Sequence, residues 1–172
     1  YNFKELKNKI KNKYKFTTSS DTEVLLAILI LYGLDGLKEI NGMFAFCFYD
    51  VKKNIYTLVR DRFGQKPLYY SMDKGYFYFS SEIKSLLVAG IKNNLNYNAV
   101  SDYLYRGKID CSEDTFFKNI NQLEPGTSIQ VKNSKIESKY RWYNIEANKK
   151  IDLPKNIQDR NMYINDTLTQ VC

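Results

Sequence analysis

Histidine is absent from this sequence of 172 residues. Its absence excludes the Ser-His-Asp and Cys-His hydrolases, the H-E-x-x-H zinc enzymes and every reaction that uses an imidazole as general base. A catalytic step carried out by this protein would therefore need a different base.

Cysteine is scarce and dispersed. The three cysteines, Cys47, Cys111 and Cys172, are widely separated and form no C-x-x-C pair. The sequence therefore supports neither a metal site nor a disulfide framework, and none of the three matches a nucleophile motif. We expect a reducing, cytoplasmic setting.

Long hydrophobic runs are also missing. The longest apolar segment, residues 24–32, has the length of a buried helix and falls well short of a membrane span. The sequence opens with polar, lysine-rich residues that do not resemble a signal peptide. We therefore expect no membrane partner.

The net charge of +7 raises the question of nucleic-acid binding. The first segment contributes six lysines, which are spread around a helix and lack interleaved arginines and stacking aromatics: Lys4, Lys7, Lys9, Lys11, Lys13 and Lys15. We interpret them as a solvated surface and expect no nucleic-acid partner.

The stretch from Asn41 to Leu87 carries the clearest strand pattern. Residues 44–49 alternate phenylalanine with alanine, cysteine and tyrosine, so both faces of this strand should be covered. Residues 55–59, 68–70 and 76–80 have the composition of three further strands. Together they predict a four-stranded meander with an unusually charged turn at residues 60–67.

Helices are predicted on both sides of this stretch. Ser20-Asp21-Thr22-Glu23 has the S-x-x-E spacing of a capping box and predicts a helix from Thr22 to about Tyr32. Further helices are predicted at 3–13, 82–88 and after Asn96 or Asn98, and a final hairpin around residues 133–134. Pattern alone indicates an α plus β protein.

Several blocks of sequence together carry a family resemblance. They are S-D-T-E-V-L-L (20–26), N-G-M-F-A-F (41–46), R-D-R-F-G-Q-K-P-L-Y-Y (60–70), S-S-E-I-K-S-L-L (80–87) and L-E-P-G (123–126). In this order and spacing they resemble the glutaminase domain of glutamine-dependent asparagine synthetases. The resemblance covers residues 1 to about 145.

This resemblance implies a fold and a domain organisation. The expected fold is α+β, the N-terminal-nucleophile hydrolase type, a four-layer αββα sandwich that lacks its first strands here. Residues 1–145 would be a partial glutaminase domain, residues 146–159 a linker, and residues 160–172 the start of a synthetase domain. The implied function is to supply ammonia from glutamine for ATP-dependent amidation of aspartate.

Asp21 and Ser20 are the predicted substrate-binding residues. From local sequence alone, an aspartate in a first helical turn favours the helix macrodipole and needs no further role. The resemblance implies that Asp21 holds the α-amino group of glutamine, and a carboxylate suits an ammonium because it accepts charge-assisted hydrogen bonds. Both roles are compatible. Ser19 stands where the family often has glycine.

Two further sets of residues are singled out by the resemblance. Met43 would line the passage that carries ammonia to the second domain, although a methionine beside a phenylalanine run is also typical of core filling. The second set is a structural signature without a catalytic step, which local sequence explains as a turn held by ion pairs: Arg60, Asp61, Arg62 and Gly64.

The resemblance also implies what lies outside this sequence. The family's nucleophile is an N-terminal cysteine whose own α-amino group serves as base, and it would stand upstream of Tyr1. This chain alone is therefore expected to be inactive. ATP and Mg²⁺ would belong to the synthetase domain of the same polypeptide, none would bind this chain, and a homodimer is compatible with the family.

Two alternatives stay open at the level of sequence. A non-catalytic binding or assembly module could keep the same fold without hydrolysing glutamine. An amidotransferase could also act on a different carboxylate acceptor, because the acceptor site would lie outside this sequence.

Overall fold

A computed structural model describes residues 2–109, 112–145 and 153–171. Its five helices within these residues are α1 (Phe3–Ile10), α2 (Asp21–Tyr32), α3 (Ile83–Val88), α4 (Tyr97–Arg106) and α5 (Ile157–Val171). A 3-10 helix, Gly33–Glu39, follows α2. The strands are β1 (Ala45–Asp50), β2 (Ile55–Arg60), β3 (Tyr69–Asp73), β4 (Tyr76–Ser80), β5 (Asn121–Gln122), β6 (Thr127–Lys132) and β7 (Lys135–Arg141).

The strands form two antiparallel sheets, which corrects the predicted meander. One sheet has the order β1-β2-β6-β7 and the other the order β4-β3-β5. The charged segment 61–68 therefore does not connect neighbours within one sheet; it crosses from β2 in the first sheet to β3 in the second. The segment 123–126 crosses back, from β5 to β6.

A hydrophobic core fills the space between the two sheets. Leu58, Ile129 and Val131 of the first sheet contact Tyr70 of the second, and Ala45 and Cys47 pack at its margin. The phenylalanines of β1 point the other way and pack against α2 and the 3-10 helix, together with Val59 and Trp142. Both faces of β1 are covered, as its alternating pattern predicted.

Helices cover the outer face of each sheet. On the first sheet, α2 packs on the phenylalanines and α1 packs on α2 through Leu6, Ile10 and Ile28. On the second sheet, α3 and the following loop pack Leu86 and Ile91 against Ile120. The four layers predicted from the family resemblance, αββα, are confirmed.

The last part of the chain is simpler. The hairpin β6–β7 turns at Asn133 and Ser134, both of which have the positive φ angles that a tight hairpin turn needs. α5 begins at Ile157, within the last three residues of the predicted linker, and residues 146–152 of that linker are outside the described residues. The predicted domain boundaries at residues 145 and 159 stay predictions. Among the described residues, no helix combines the length and the apolar character that crossing a membrane requires.

Candidate functional site

A cavity of about 490 Å³ opens between α1, the first turn of α2, residues 40–46 and the crossover segment at Lys66 and Pro67. Its wall is mainly apolar, with Leu6, Val24 and Phe44 among the lining side chains. Asp21 and Met43, two of the residues singled out by sequence, both lie on this wall. The structure therefore brings together a carboxylate and the methionine in one apolar cavity.

Asp21 occupies the first position of α2 and is exposed. Its Oδ1 atom accepts a hydrogen bond of 2.8 Å from the backbone N–H of Thr22. Its Oδ2 atom has no hydrogen-bond partner within the described part of the chain. One carboxylate oxygen thus orients the side chain, and the other remains available to a ligand.

Ser20 is the N-cap of α2, as the sequence predicted. Its hydroxyl oxygen accepts a hydrogen bond of 3.1 Å from the backbone N–H of Thr22, and its Oγ lies 3.5 Å from Asp21 Oδ1. Such a cap satisfies one of the amide groups that a helix leaves unpaired at its start. Within the described residues, Ser20 does not line the cavity. Its predicted contact with substrate therefore stays a prediction.

Glu23, the fourth residue of the capping motif, has a different partner from the one that the motif predicts. Its carboxylate accepts the backbone N–H and the hydroxyl of Thr17 at 2.8 and 2.9 Å, and those of Thr18 at 2.7 and 2.6 Å. These hydrogen bonds, above all that from the Thr18 hydroxyl, lower the pKa of Glu23 to about 2. The carboxylate fastens the α1–α2 connection onto the helix.

Met43 is 43% exposed and lies on the cavity wall beside Gly42 and Phe44. It is not a member of the buried clusters, so core filling does not account for its position. Its predicted role in an ammonia passage stays a prediction.

Asp61 organises the crossover between the sheets. Its side chain is completely buried and accepts four backbone N–H groups, from Phe44, Phe63, Gln65 and Lys66, at 2.9 to 3.3 Å. A carboxylate has enough lone pairs for all four bonds, which replace the water it loses on burial. Asp61 thereby links the segment that carries Met43 to the segment that carries Lys66.

Arg60 joins the two crossover segments to each other. Its guanidinium donates to the carbonyl oxygens of Gly64 and Lys66 in the first segment, at 2.8 and 2.9 Å, and to that of Leu123 in the second, at 2.6 Å. Within the described residues, neither Arg60 nor Asp61 takes part in an ion pair. The prediction of a turn held by local ion pairs is therefore wrong. Asp61 binds main-chain amides, and Arg60 binds main-chain carbonyls and the side-chain oxygen of Gln122.

Arg62 and Gly64 complete this segment. Arg62 donates a hydrogen bond of 2.6 Å to the carbonyl of Lys38, and its guanidinium lies over the Tyr143 ring at 5.2 Å. Gly64 has a φ of 65°, and a Cβ atom there would come within 2.8 Å of the Pro125 ring. The signature is structural in each of its residues.

The cysteines offer little chemistry in the described structure. Burial between the sheets raises the pKa of Cys47 to about 11. A thiol with this pKa is almost entirely protonated at neutral pH and is a weak nucleophile. Cys111 and Cys172 lie outside the described residues. Within residues 2–109, 112–145 and 153–171, no group of histidine, cysteine, aspartate or glutamate side chains could hold a metal ion.

Sequence reasoning missed the burial and the main-chain partners of Asp61, and it missed the partners of Glu23. An acidic residue between two arginines in a turn gave no sign that it would be fully buried. Two consecutive threonines ahead of a capping motif were the available signal for Glu23, because they offer four donors to one carboxylate.

Comparison with known proteins places these features in a family. The model of a family described as "Glutamine amidotransferase domain" matches residues 1–143. A putative glutamine-hydrolyzing asparagine synthetase 2 of Methanocaldococcus jannaschii is 39% identical over 147 residues, covering 83% of this chain and 28% of the relative. Glutamine-hydrolyzing asparagine synthetase 3 of Bacillus subtilis is 31% identical over 154 residues, covering 88% and 25%. The chain thus spans about a quarter of the length of these curated relatives.

A solved structure shows the same fold. The glutamine phosphoribosylpyrophosphate amidotransferase of B. subtilis, complexed with ADP and GMP, superposes with a TM-score of 0.60 at 20% sequence identity. The match covers 83% of this chain and 27% of that chain. The N-terminal-nucleophile hydrolase fold predicted from the sequence is confirmed.

Proposed function

The chain belongs to the glutamine amidotransferase domain family, and from this membership we propose that it forms the glutamine-binding part of a glutamine-hydrolysing asparagine synthetase. The glutaminase domain of such an enzyme cleaves glutamine through a thioester and releases ammonia. A synthetase domain of the same polypeptide would use ATP and Mg²⁺ to activate aspartate for attack by that ammonia.

One observation carries this proposal: Asp21 and Met43 line the same apolar-walled cavity. In the proposed site, the free Oδ2 atom of Asp21 accepts a charge-assisted hydrogen bond from the α-ammonium of glutamine. The negative charge of Asp21 offsets the unfavourable effect that the positive end of α2 has on a cationic group.

Met43 would form the start of the ammonia path. Its thioether side chain, with Phe44 and the aliphatic groups of α1 and α2, provides a surface of low polarity. Such a surface disfavours the charged ammonium ion relative to neutral ammonia, and only neutral ammonia is a nucleophile. An apolar wall therefore keeps the released ammonia in its reactive form.

The nucleophile in this proposal is the N-terminal cysteine implied by the family, with its α-amino group as base. Cys47 does not take this role, because its thiol is half-buried between the sheets and its pKa is raised to about 11. Activity measurements therefore use the complete gene product.

The test is Asp21→Asn in the complete gene product, assayed with glutamine and separately with free ammonia as nitrogen source. Asparagine amide has no negative charge to offer the substrate ammonium, and a lost hydrogen bond to a charged group is worth about 1.5–3 kcal/mol, or a KM for glutamine raised about 10- to 150-fold. Ammonia-dependent asparagine synthesis should be unchanged.

The matched control is Asp35→Asn, which removes a carboxylate from the exposed surface pair with Lys38. This variant should retain the wild-type KM for glutamine. If Asp21→Asn lowered the glutamine-dependent and the ammonia-dependent activities to the same extent, Asp21 would not be the residue that binds glutamine.

A further inference from the structure

Glu23 accepts every hydrogen bond that two consecutive residues have to offer. Oε1 receives the N–H and the hydroxyl of Thr17, and Oε2 receives the N–H and the hydroxyl of Thr18. The four distances lie between 2.6 and 2.9 Å. All but that from the Thr17 hydroxyl are shorter than is usual for neutral partners, as an ionised acceptor makes them. This set, Thr17, Thr18 and Glu23, is called the threonine clasp below.

The clasp determines the orientation of the residues that follow it. A threonine hydroxyl has one proton, and that of Thr18 is donated to Glu23. Its oxygen is therefore left as an acceptor, and it receives the backbone N–H of Ser20 at 3.2 Å. Without the carboxylate, the hydroxyl of Thr18 would be free to rotate.

The order imposed on Ser20 continues to Asp21. The hydroxyl oxygen of Ser20 and Oδ1 of Asp21 share the same donor, the backbone N–H of Thr22, at 3.1 and 2.8 Å. Thr18 donates to Glu23, the Ser20 N–H donates to Thr18, and the Thr22 N–H donates to both Ser20 and Asp21. These bonds lead from the clasp to the carboxylate on the cavity wall. Each of these bonds lies within one turn of the start of α2.

We propose that Glu23 is a positioning residue for glutamine binding, which acts on Asp21 through the threonine clasp. This role rests on the proposed function of Asp21 as the partner of the substrate ammonium. Glu23 does not line the cavity within the described residues and touches no substrate in this scheme. It sets the path of residues 17–20 and, through them, the side-chain direction of Asp21.

The chemistry of the clasp requires a carboxylate. Glutamine at position 23 would present its amide oxygen to one threonine and its amide NH2 group to the other. The NH2 group is itself a donor, and it would face the N–H and the hydroxyl of that threonine. The backbone N–H that faces this group would lose its acceptor, and the hydroxyl beside it could only accept, so the four hydrogen bonds that the carboxylate receives could not all be kept. Because the pKa of Glu23 is lowered to about 2, the clasp is fully ionised at neutral pH.

The experiment is a kinetic comparison of variants in the complete gene product. Glu23→Gln should raise the KM for glutamine about tenfold, the effect of a displaced charge-assisted contact. The kcat at saturating glutamine and the rate of ammonia-dependent synthesis should stay within about twofold of wild type. A change of that size would reflect a general loss of stability.

Three further variants separate positioning from simple stabilisation. Thr18→Ser keeps the N–H and the hydroxyl and should retain the wild-type KM, whereas Thr18→Val removes the hydroxyl and should raise it. Glu39→Gln removes a carboxylate that accepts a single hydrogen bond of 2.6 Å, from Lys9 on the exposed surface. It should leave the KM for glutamine unchanged.

A double-mutant cycle with Asp21→Asn decides between the outcomes. If Glu23 acts through Asp21, adding Glu23→Gln to Asp21→Asn should raise the KM no further. Additive effects of the two substitutions on KM would overturn the positioning role. The positioning role would also be overturned if Glu23→Gln lowered the glutamine-dependent and the ammonia-dependent activities equally and left the KM for glutamine unchanged.

The cycle also distinguishes this inference from the proposed function. If Asp21→Asn raises the KM for glutamine and Glu23→Gln does not, the positioning role is wrong and the proposed function stands. If Asp21→Asn has no effect on the KM, the proposed function itself fails.

Discussion

Two separate features of the structure require a glycine at position 64, in the crossover between the sheets. Its φ of 65° lies in the left-handed region, which costs a residue with a Cβ atom about 1–2 kcal/mol. A Cβ atom would also lie 2.8 Å from Pro125 Cγ and 3.0 Å from Arg60 Cζ. The glycine thus allows the two crossover segments to approach each other.

A pair of glycine substitutions separates these requirements. Gly64→Ala should lower the free energy of unfolding by about 2–4 kcal/mol, because strain in φ adds to overpacking against Pro125 and Arg60. Gly75→Ala should cost only about 1–2 kcal/mol, since its φ is 80° but nothing lies within 4 Å of the added atom. Urea unfolding of both variants measures the difference, and equal losses would show that the close approach is unimportant.

The residues of this segment illustrate what sequence can and cannot reveal. The motif R-D-R-F-G identified Arg60, Asp61, Arg62 and Gly64 as a structural signature, and each of these four has structural contacts. The sequence did not reveal that Asp61 would be fully buried and bound to four main-chain amides, because the donors are backbone groups brought together only by the fold. Side-chain identities alone suggested ion pairs instead.

At the scale of elements, the connection between α1 and α2 depends on the ionisation of Glu23. The pKa of this carboxyl is lowered to about 2 in the folded protein, from an ordinary value near 4.5. A group whose pKa is depressed by folding stabilises the protein above its unfolded pKa and loses that contribution as the pH falls through the folded value. The clasp should therefore weaken between about pH 4.5 and pH 2.

This dependence can be measured as a difference between two proteins. In urea unfolding at pH 7, the wild type should have a higher free energy of unfolding than Glu23→Gln. This difference should shrink as the pH is lowered from about 4.5 to about 2. Other carboxyl groups titrate in both proteins and cancel. A gap that stays constant down to pH 2 would mean that the carboxylate charge contributes nothing.

Most elements were predictable, because their signals are local. The start of α2 at residues 20–22 and its end at Gly33 follow from a capping serine and a terminating glycine. The hairpin at Asn133 and Ser134 follows from its turn residues. The partners of Glu23 were not predictable in the same way, because Thr17 and Thr18 compete with the Ser20 amide that the capping box assigns to it.

The arrangement of the two sheets is the main feature of the whole molecule that local pattern did not supply. Residues 44–59 and 68–80 read as four successive strands, and short connections favour pairing between neighbours. Alternation in β2 assigns Leu58 and Val59 to opposite faces but does not say which strand lies beside them. The pairing of β2 with β6 joins residues about seventy positions apart, and only tertiary structure decides it.

The sheet order predicts how protection from hydrogen exchange is distributed. β2 and β6 are interior strands with ladders on both sides, whereas β7 is an edge strand whose seven residues are all exposed. The amides of Ile55–Arg60 and Thr127–Lys132 should exchange most slowly, because their opening requires the core between the sheets to open. Exchange followed by mass spectrometry or NMR measures this order. Slower exchange in β7 than in β2 would contradict the sheet order β1-β2-β6-β7.

The crossover from β2 to β3 also has a consequence for how this surface can evolve. Its path is fixed by Asp61 and Arg60 through bonds to main-chain atoms, and every amino acid except proline offers the same main-chain donor and acceptor. The exposed side chains of Phe63 and Gln65 carry none of the hydrogen bonds described for this loop. Substitution of Gln65 can therefore alter the surface of the loop without removing a hydrogen bond that fixes its path, whereas substitution of Phe63 also removes an edge-to-face contact with Tyr143.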